Sequence, residues 1–302
     1  MFKMIRFFKK GIQKNISIAK QLLQIDIRWE LYKKYFKKRS IITFFSDHGC
    51  SLELYPGEHV SDAIHYRKFE VEVCNFIKKV LCPGMVFFDI GANIGFYTII
   101  AGTILKGSGE VHSFEPSKRE FNRLTRNVVL NELTNVHLNR VAILDRESER
   151  SLFICDDTRA AYNSVYTVTH PDAADAVICK ENIRCTTIDA YARNGNIKKI
   201  DLIKMDIEGA EFLALKGSVN ALNSNPAPIV VFECTECFTQ QNKDDKQKQF
   251  NKLREIFQKH NYSIYEFIPN EGALQIVDQQ PVRNGWNFVA IKARGGRIKK
   301  YA

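Results

Sequence analysis

The sequence predicts an α/β fold built around one doubly wound, mainly parallel sheet. From residue 84 onward, short apolar runs alternate with amphipathic stretches, as in a chain that passes repeatedly from strand to helix to strand. The apolar runs contain few polar residues, which is typical of strands buried on both faces. A glycine-containing turn, DIGANIG at residues 89–95, follows the first run. Ligands of open α/β sheets bind outside the carboxyl ends of the strands, so this turn marks the expected ligand site.

Seven strands are expected in chain order. They lie at residues 85–90, 109–116, 135–143, 201–207, 229–234, 262–268 and 286–293. A helix at about residues 95–105 follows the first strand. Pro116 lies near the first turn of the next helix, where a missing backbone N–H is tolerated, and Phe121, Leu124 and Val128 share one face of that helix.

A long segment separates the third and fourth strands. Its roughly sixty residues exceed what a crossover helix requires. Residues 151–157 and 177–189 are expected to pair as a hairpin, with residues 160–175 as the loop between them. We therefore predict an insertion between these strands that covers a ligand bound at the strand ends.

The composition is that of a globular protein. The chain has 302 residues, 45% of them hydrophobic, and contains no run of eighteen apolar residues. The N-terminal stretch MFKMIRFFKKGIQKN carries lysines where an export signal would be apolar. The eight cysteines show no disulfide framework, and the CxxC of Cys234 and Cys237 lacks the second ligand pair of most structural zinc sites. These features predict a cytoplasmic protein with reduced thiols.

The positive charge is concentrated near the N-terminus. The chain has a net charge of +10, and residues 1–40 contain twelve Lys or Arg and two Asp or Glu, so the rest of the chain is neutral. We divide the chain into a basic amphipathic helical extension (residues 1–45), a domain (46–294) and a basic tail (295–302). Two interpretations of the extension stay open: it lies peripherally on an anionic membrane, or it packs its apolar stripe on the domain.

The glycine turn favours a ligand without phosphates. Gly91 and Gly95 permit a sharp turn and close packing of the following helix. A dinucleotide-binding loop would carry a third glycine, and a P-loop would carry a lysine after its last glycine, whereas the spacing here is GxNxG. A nicotinamide-dependent oxidoreductase is therefore disfavoured. A tight turn that binds no ligand is the structural alternative.

Two acids flank this turn. Glu115 closes the second strand, where a carboxylate can accept hydrogen bonds from both hydroxyls of a ribose. Asp89 precedes the turn and can receive the charged amino group of an amino-acid moiety. A ribose and an amino acid without pyrophosphate correspond to S-adenosylmethionine, which we predict as the cofactor.

A family resemblance rests on five stretches in this order: VFFDIGANIGFYTIIAG, VHSFEPS, TTIDAY, KKIDLIKMDIEGAEFLALKGS and PIVVFEC. The chain resembles the FkbM-type family of class I S-adenosylmethionine-dependent methyltransferases over roughly residues 67–293. The resemblance implies a Rossmann-like sheet of seven strands with the last antiparallel, and O-methylation of sugars or natural products. It also implies the cofactor-binding residues, which are Asp89, Gly91, Asn93 and Gly95 in the loop, Glu115 at the ribose and Ala142 near the adenine.

Three acids follow the fourth strand in the motif MDIEGAE. Methyl transfer to a hydroxyl benefits from an aligned base, and we predict Asp206 and Glu208 as the catalytic residues. Glu211 lies on the first turn of the next helix, where stabilisation of the helix dipole explains it equally well. These acids and Glu233 are also suited to Mg²⁺, but their spacing does not settle the matter and we predict no metal ligand. His170, in the insertion loop, is a further candidate base.

The predicted function is O-methylation of a hydroxyl of a sugar or glycolipid-linked saccharide. Nucleic-acid amino methyltransferases carry an (Asp/Asn)-Pro-Pro-aromatic turn where this chain has DIEG, and the neutral domain lacks a duplex-tracking surface. Three alternatives stay open. The substrate is RNA, which the positive charge of the extension would suit; the acceptor is another small molecule; or the protein is a scaffold that binds the cofactor but transfers no methyl group.

Overall fold

The structure is a computed structural model. It describes residues 27–36, 39–166, 175–234, 237–238, 243–244, 246–268, 274–277 and 286–292. The predictions made for residues 1–26, His170, the Cys237 side chain and the tail at 295–302 lie outside the described residues. Within the described part of the chain, no helix is both long enough and apolar enough to cross a bilayer.

The elements are numbered in chain order. The strands are β1 (Ile41–Phe45), β2 (Cys50–Leu54), β3 (Val86–Ile90), β4 (Glu110–Phe114), β5 (Val136–Asn139), β6 (Ala142–Ile143), β7 (Ser148–Ile154), β8 (Cys179–Thr186), β9 (Leu202–Met205), β10 (Ile229–Glu233), β11 (Cys237–Phe238), β12 (Lys243–Asp244), β13 (Tyr262–Phe267), β14 (Leu274–Ile276) and β15 (Asn287–Lys292). The helices are α1 (residues 27–35), α2 (His59–His65), α3 (Val71–Val80), α4 (Phe96–Leu105), α5 (Lys118–Leu130), α6 (Ile188–Asn194), α7 (Glu211–Lys216), α8 (Val219–Asn223) and α9 (Lys246–Lys259), with a 3₁₀ helix at Asp157–Tyr162.

The large sheet has the strand order β14-β13-β15-β10-β9-β3-β4-β5. From β10 to β5 all neighbouring strands are parallel. β15 runs antiparallel to both β10 and β13, and β14 adds an antiparallel strand at the edge. The predicted mainly parallel sheet with an antiparallel last strand is confirmed, and β14 is an addition to the predicted strands.

One predicted strand, residues 135–143, is two strands in the structure. β5 ends at Asn139, and the N–H of Val141 donates to the Asn139 carbonyl at 3.0 Å, which turns the chain sharply. β6 then leaves the large sheet and pairs in parallel with β8. The single-strand prediction is wrong because the apolar pattern continues through a turn that contains no glycine or proline.

The predicted hairpin in the insertion is present as β7 and β8, which pair antiparallel along their whole length. β6 joins them in a three-stranded sheet. The apolar side chains of this small sheet pack against Ala210, Ile207 and Leu213, which follow β9. The insertion is therefore anchored beside the carboxyl end of β9.

Helices cover both faces of the large sheet. Phe87 belongs to the core beneath α3, α4 and α5, and its neighbour Phe88 belongs to the core beneath α6 to α9. Both side chains are fully buried, which accounts for the continuous apolar runs. Trp29 of α1 and Phe45 of β1 join the first core, so part of the predicted extension packs on the domain. The boundary at residue 45 stays a prediction.

The turn after β3 approaches the turn after β9 very closely. Gly91 has φ +81°, and a Cβ atom there would lie 1.8 Å from the carbonyl oxygen of Asp206. Gly95 has φ +94°, and a Cβ atom there would lie 2.6 Å from Cδ1 of Leu124 on α5. A side-chain end can move, but the backbone at Asp206 is fixed in the sheet. The approach of the two turns therefore depends on Gly91.

We expect Gly91→Ala to lower the free energy of unfolding by about 3 kcal/mol or more, because it combines a left-handed conformation with overlap of backbone atoms. Gly107→Ala is the matched control, since Gly107 has φ +92° but no atom within 4 Å of its Cβ position. Only the conformational cost of about 1–2 kcal/mol applies there. Urea-induced unfolding of both variants measures the difference between their free energies of unfolding. Equal losses of stability at Gly91 and Gly107 would contradict the close approach of the two turns.

Candidate functional site

A cavity of about 570 Å³ lies at the carboxyl ends of β3, β4 and β9. Its wall is formed by the glycine turn, the strand ends, residues 160–165 of the insertion, and residues near α2 and α3. The polar and small residues that line it include Glu70, Gly91, Asn93, Glu115, Ala142, Ser164, Lys204, Asp206, Glu208 and Glu233. The insertion thus covers one side of the strand ends, as the sequence predicted.

Glu115 is held at the glycine turn by backbone groups. The N–H of Asn93 donates to Glu115 Oε2, and the N–H of Ser117 donates to Oε1, each at 2.9 Å. Burial, with the nearby charge of Glu120, raises the pKa of Glu115 to about 8. Each carboxyl oxygen keeps a further lone pair for a ligand hydroxyl. The roles of Asn93 and Glu115 toward a cofactor stay predictions.

The remaining small residues of the predicted cofactor site occupy two kinds of position. Gly91 and Ala142 line the cavity. Gly95 does not line it, because it lies at the start of α4 and packs against Leu124. The geometry therefore gives Gly95 a packing role and leaves Gly91 and Ala142 as candidates for contact.

Asp89 is fully buried beneath the turn and does not line the cavity. Its Oδ2 accepts a hydrogen bond from the Thr98 hydroxyl at 2.6 Å, and Oδ1 has no hydrogen-bond partner in the described structure. Burial raises the pKa of Asp89, and the positive charge of Lys204 on the adjacent strand opposes this rise. The role of Asp89 toward a cofactor amino group stays a prediction.

A buried lysine organises the opposite side of the cavity. Lys204, on β9, is 3% exposed, and its Nζ lies 2.8 Å from Asp206 Oδ2 and 3.8 Å from Glu70 Oε2. Burial acts to lower the pKa of Lys204, but Asp206, Glu70 and Asp89 raise it above its usual value. Burial likewise acts to raise the pKa of Asp206, but Lys204 and a hydrogen bond with Glu233 hold it below its usual value. Lys204 and Asp206 therefore form an ionised pair.

Glu208 and Glu233 differ from Asp206 in their preferred charge state. Glu208 lines the cavity in a left-handed conformation, with φ +52°. Burial, followed by the charges of Asp206 and Glu211, raises its pKa well above the usual value. Burial and the charge of Asp206 also raise the pKa of Glu233, which shares a hydrogen bond with Asp206. The wall thus carries one ionised carboxylate beside two carboxyl groups that favour the protonated form.

The same three carboxyl groups form a compact cluster. One oxygen from each of Asp206, Glu208 and Glu233 lies within 4.8 Å of the others. Such a set suits a divalent cation. The Lys204 ammonium, however, already supplies a positive charge at hydrogen-bond distance from Asp206. That none of these acids binds a metal ion stays a prediction, and binding of Mg²⁺ is the alternative.

Glu211 does not line the cavity. Its Oε1 accepts from the N–H of Ile207 at 2.9 Å, at the start of α7, and the side chain is 3% exposed. Burial raises the pKa of Glu211 to about 7. The interpretation as a helix-start residue is therefore favoured over a catalytic one.

The sequence patterns missed three contributors to the site, and two of them, Glu70 and Ser164, left no signal in the sequence. Glu70 precedes α3 in a left-handed conformation and accepts from the Tyr97 hydroxyl at 2.9 Å and from the Asn287 amide at 2.8 Å. Ser164 of the insertion donates to the backbone carbonyl of Glu208 at 3.0 Å. Neither residue lies in a recognisable motif, because each reaches the site only through the fold.

Lys204 was also missed, although a signal was present. It is a charged residue inside the apolar run LIKM, and it precedes Asp206 by two residues. Residues two apart on a strand project to the same side, so this spacing alone brings the two side chains together. A lysine in a strand buried on both faces requires a partner, which marks the position as unusual.

The strand order, the antiparallel β15, the glycine turn after β3 and the acid after β4 together define a Rossmann-like fold of the class I methyltransferase type. Within that class, the Methyltransferase FkbM domain matches residues 89–264, which is more than half of the chain. The chain belongs to the FkbM methyltransferase family. The resemblance predicted from the motifs is confirmed.

Known proteins are similar to this chain at low identity. Hexuronic acid methyltransferase AglP of Haloferax volcanii is 29% identical, covering 46% of this chain and 52% of its own length. The 31-O-demethyl-FK506 methyltransferase FkbM of Streptomyces tacrolimicus is 28% identical, covering 52% of this chain and 68% of its own length. A solved methyltransferase FkbM from Methylobacillus flagellatus KT is 16% identical with a TM-score of 0.43, covering 70% of this chain and 44% of that one. The chain spans about half the length of the haloarchaeal relative.

We expect Glu211→Gln to remove part of the pH dependence of stability. Burial raises the folded-state pKa of Glu211 from 4.5 to about 7. The neutral form therefore stabilises the folded protein below pH 4.5, and this contribution, about 3 kcal/mol, is lost as the pH rises to about 7. Glutamine is neutral at every pH and can still accept from the Ile207 N–H. The variant should gain stability relative to wild type between about pH 5 and pH 8.

Chemical unfolding of wild type and Glu211→Gln at both pH values measures this gain. Glu132→Gln is the control, because Glu132 is exposed and its replacement should leave the pH profile unchanged. Parallel pH profiles of stability for wild type and Glu211→Gln would show that burial does not raise the pKa of Glu211.

Proposed function

We propose that the protein is an S-adenosylmethionine-dependent O-methyltransferase that acts on a hydroxyl of a sugar or glycan. The observation that carries this proposal is that one cavity joins the glycine turn and Glu115 to the acids Asp206 and Glu208. Membership of the FkbM methyltransferase family supports it. The names of the two curated relatives, which specify a hexuronic acid and a 31-O-demethyl compound, support a sugar or hydroxyl acceptor.

The residues at the ends of β3 and β4 suit this cofactor. Gly91 and Asn93 form a tight turn, Glu115 offers carboxyl oxygens to ribose hydroxyls, and Ala142 offers a small apolar surface to adenine. When bound, S-adenosylmethionine supplies a methyl group on a positively charged sulfur. The carboxyl groups across the cavity favour positive charge nearby.

Glu208 is the proposed base. The pairing of Asp206 with Lys204 lowers the pKa of Asp206 and makes it a weak base, whereas the pKa of Glu208 is raised. Ionised Glu208 accepts the proton of the acceptor hydroxyl as that oxygen becomes methylated. Asp206, which the sequence predicted as catalytic beside Glu208, is instead assigned a positioning role, because its carboxylate and Lys204 form a fixed pair of charges beside the reacting oxygen.

The cavity wall favours an acceptor rich in hydroxyl groups over a polyanion. Glu70, Asp206, Glu208 and Glu233 line it, so an anionic group would meet carboxyl groups. This disfavours the phosphates of RNA. Trp286, 49% exposed at the cavity, offers a flat apolar ring against which a sugar can pack. A saccharide, or another small hydroxyl compound, fits these groups better than a nucleic acid.

A peripheral membrane contact of the extension, in a cytoplasmic protein, also belongs to the proposal. Ile27, Leu31 and Tyr35 are exposed on α1 and recur every four residues, which supports an apolar stripe on that helix. Trp29 is buried against the domain, which supports packing of another side of the helix. Co-sedimentation of the full chain with anionic liposomes is the measurement that tests the contact.

We expect the full chain to bind S-adenosylhomocysteine with micromolar affinity, and not NAD, in calorimetric titration. Glu115→Ala should weaken this binding by about 1–3 kcal/mol, because the ribose hydroxyls lose a buried acceptor. Glu132→Ala, at an exposed glutamate, is the control and should bind as wild type does. An unchanged affinity in Glu115→Ala would remove Glu115 from the site, and failure to bind either ligand would contradict the cofactor assignment.

We expect Glu208→Gln to lower kcat by about 10²–10⁴-fold on a saccharide acceptor that the wild-type protein methylates, because the substitution removes the base. The wild-type rate should rise with pH, since the base acts when ionised, and the variant should lose this rise. Glu233→Gln is the matched control. The new amide can still donate a hydrogen bond to Asp206, so kcat should fall much less than in Glu208→Gln. Binding of S-adenosylhomocysteine by both variants shows that the cofactor site is intact.

Two outcomes would contradict this mechanism. Equal losses of kcat in the two variants would show that the acids act as a unit, as in a shared metal site. If the rate then also depended on Mg²⁺, a bound cation would take the place of the base in the mechanism. Binding of S-adenosylhomocysteine without turnover on any saccharide, small hydroxyl compound or RNA would favour the scaffold alternative.

A further inference from the structure

A second cluster of ligating side chains lies away from the cavity, at the β5 edge of the large sheet. His112 on β4 and His137 on β5 are direct partners across the two parallel strands. Their rings stack with centroids 4.5 Å apart and planes 12° from parallel. Glu110 begins β4 two residues before His112, so the two side chains project to the same side. The three residues do not line the cavity, which lies at the opposite ends of these strands.

The ligand atoms of these side chains converge. Glu110 Oε2 lies 3.3 Å from His112 Nε2 and 3.7 Å from His137 Nε2. All three residues place a ligand atom within 4.8 Å of the other two. Two atoms bonded to one tetrahedral Zn²⁺ at about 2.0–2.1 Å are about 3.4 Å apart. The carboxylate therefore already lies near the spacing from each imidazole that a shared ion requires.

His112 is oriented by a contact on its other nitrogen. Its Nδ1 lies 2.9 Å from the Tyr191 hydroxyl on α6, and the residue is only 5% exposed. When Nδ1 carries the proton and donates to Tyr191, Nε2 turns a lone pair toward Glu110. Metal-bound histidines usually have a partner of this kind on the second ring nitrogen.

The exposure of the cluster also suits a metal. Glu110 and His137 are about half exposed, with 55% and 50% of their side-chain surface accessible. An ion can therefore reach the cluster from solvent, and water can complete its coordination.

We propose that Glu110, His112 and His137 form a binding site for a divalent transition metal, with Zn²⁺ as the preferred ion. Two imidazoles and one carboxylate suit Zn²⁺ better than Mg²⁺ or Ca²⁺, which prefer oxygen ligands alone. The ion joins the edge strand β5 to β4 and acts as a structural clip. This site is independent of the proposed methyl transfer.

Calorimetric titration of the metal-free full chain with ZnCl₂ tests the proposal. We expect one site whose affinity falls at least about 100-fold in His137→Ala and in Glu110→Gln, because each loses a ligand. Tyr191→Phe keeps all three ligands and should weaken binding by about 10–100-fold. Glu132→Gln and His260→Gln alter residues outside the cluster and should bind as wild type does. His137 and Glu110 are exposed, so their variants should keep the fold, which circular dichroism verifies.

Two spectroscopic readouts identify the ligands. Co²⁺ in place of zinc should give the visible bands of a four-coordinate site without the near-ultraviolet band of a thiolate ligand, which excludes the cysteines. Zinc should raise the Tm of wild type by about 3 °C or more and leave that of His137→Ala unchanged. Equal zinc affinity in wild type and both ligand variants would place the ion elsewhere, such as at the Asp206 cluster, and overturn the proposal. No binding at millimolar zinc would overturn it equally.

Discussion

The buried ammonium of Lys204 is the interaction on which the geometry of the cavity depends. A charge this deep in a sheet is tolerated only when nearby opposite charges compensate for its lost hydration. Asp206 just after the same strand, Glu70 before α3 and Asp89 on the adjacent strand supply them. Because these acids come from three separate parts of the chain, the lysine ties the strand ends to the helix that closes the cavity.

The same charge makes the clustered acids chemically different from one another. Lys204 favours ionisation of Asp206, and the resulting negative charge favours protons on Glu208 and Glu233. Burial acts to raise the pKa of all three carboxyl groups, and one cation together with their mutual repulsion separates the resulting values. Glu208 and Glu233 both line the cavity with a raised pKa, but the carboxyl group of Glu233 shares a hydrogen bond with Asp206. Glu208 is therefore the group assigned to the deprotonation of a hydroxyl.

The sheet, the glycine turn and the insertion hairpin were predictable because each leaves a local pattern of apolar runs or glycines. The division of the third strand at Asn139 was not, since a hydrogen bond between near neighbours turns the chain without a marker residue. The site was predictable only where acids follow strand ends, as at Glu115 and Asp206. Glu70 could not be found, because its place beside Lys204 depends on how α3 packs on the sheet. The burial of Asp89 beneath the glycine turn could not be predicted either, because a motif does not specify which way a strand residue points.

Strand β4 connects the two ends of this fold. Glu110 and His112 belong to its amino end, and Glu115 follows its carboxyl end, so His112 and Glu115 are separated by about 10 Å along the strand. The ladder between β4 and β5 continues through this distance, and its last bond runs from the Glu115 N–H to the Asn139 carbonyl at 3.1 Å. Among the described residues, β5 is an edge strand with a neighbour on one side only. An ion that joins β5 to β4 would therefore stabilise the register that holds the backbone of Glu115 at the cavity, without contact with any ligand there.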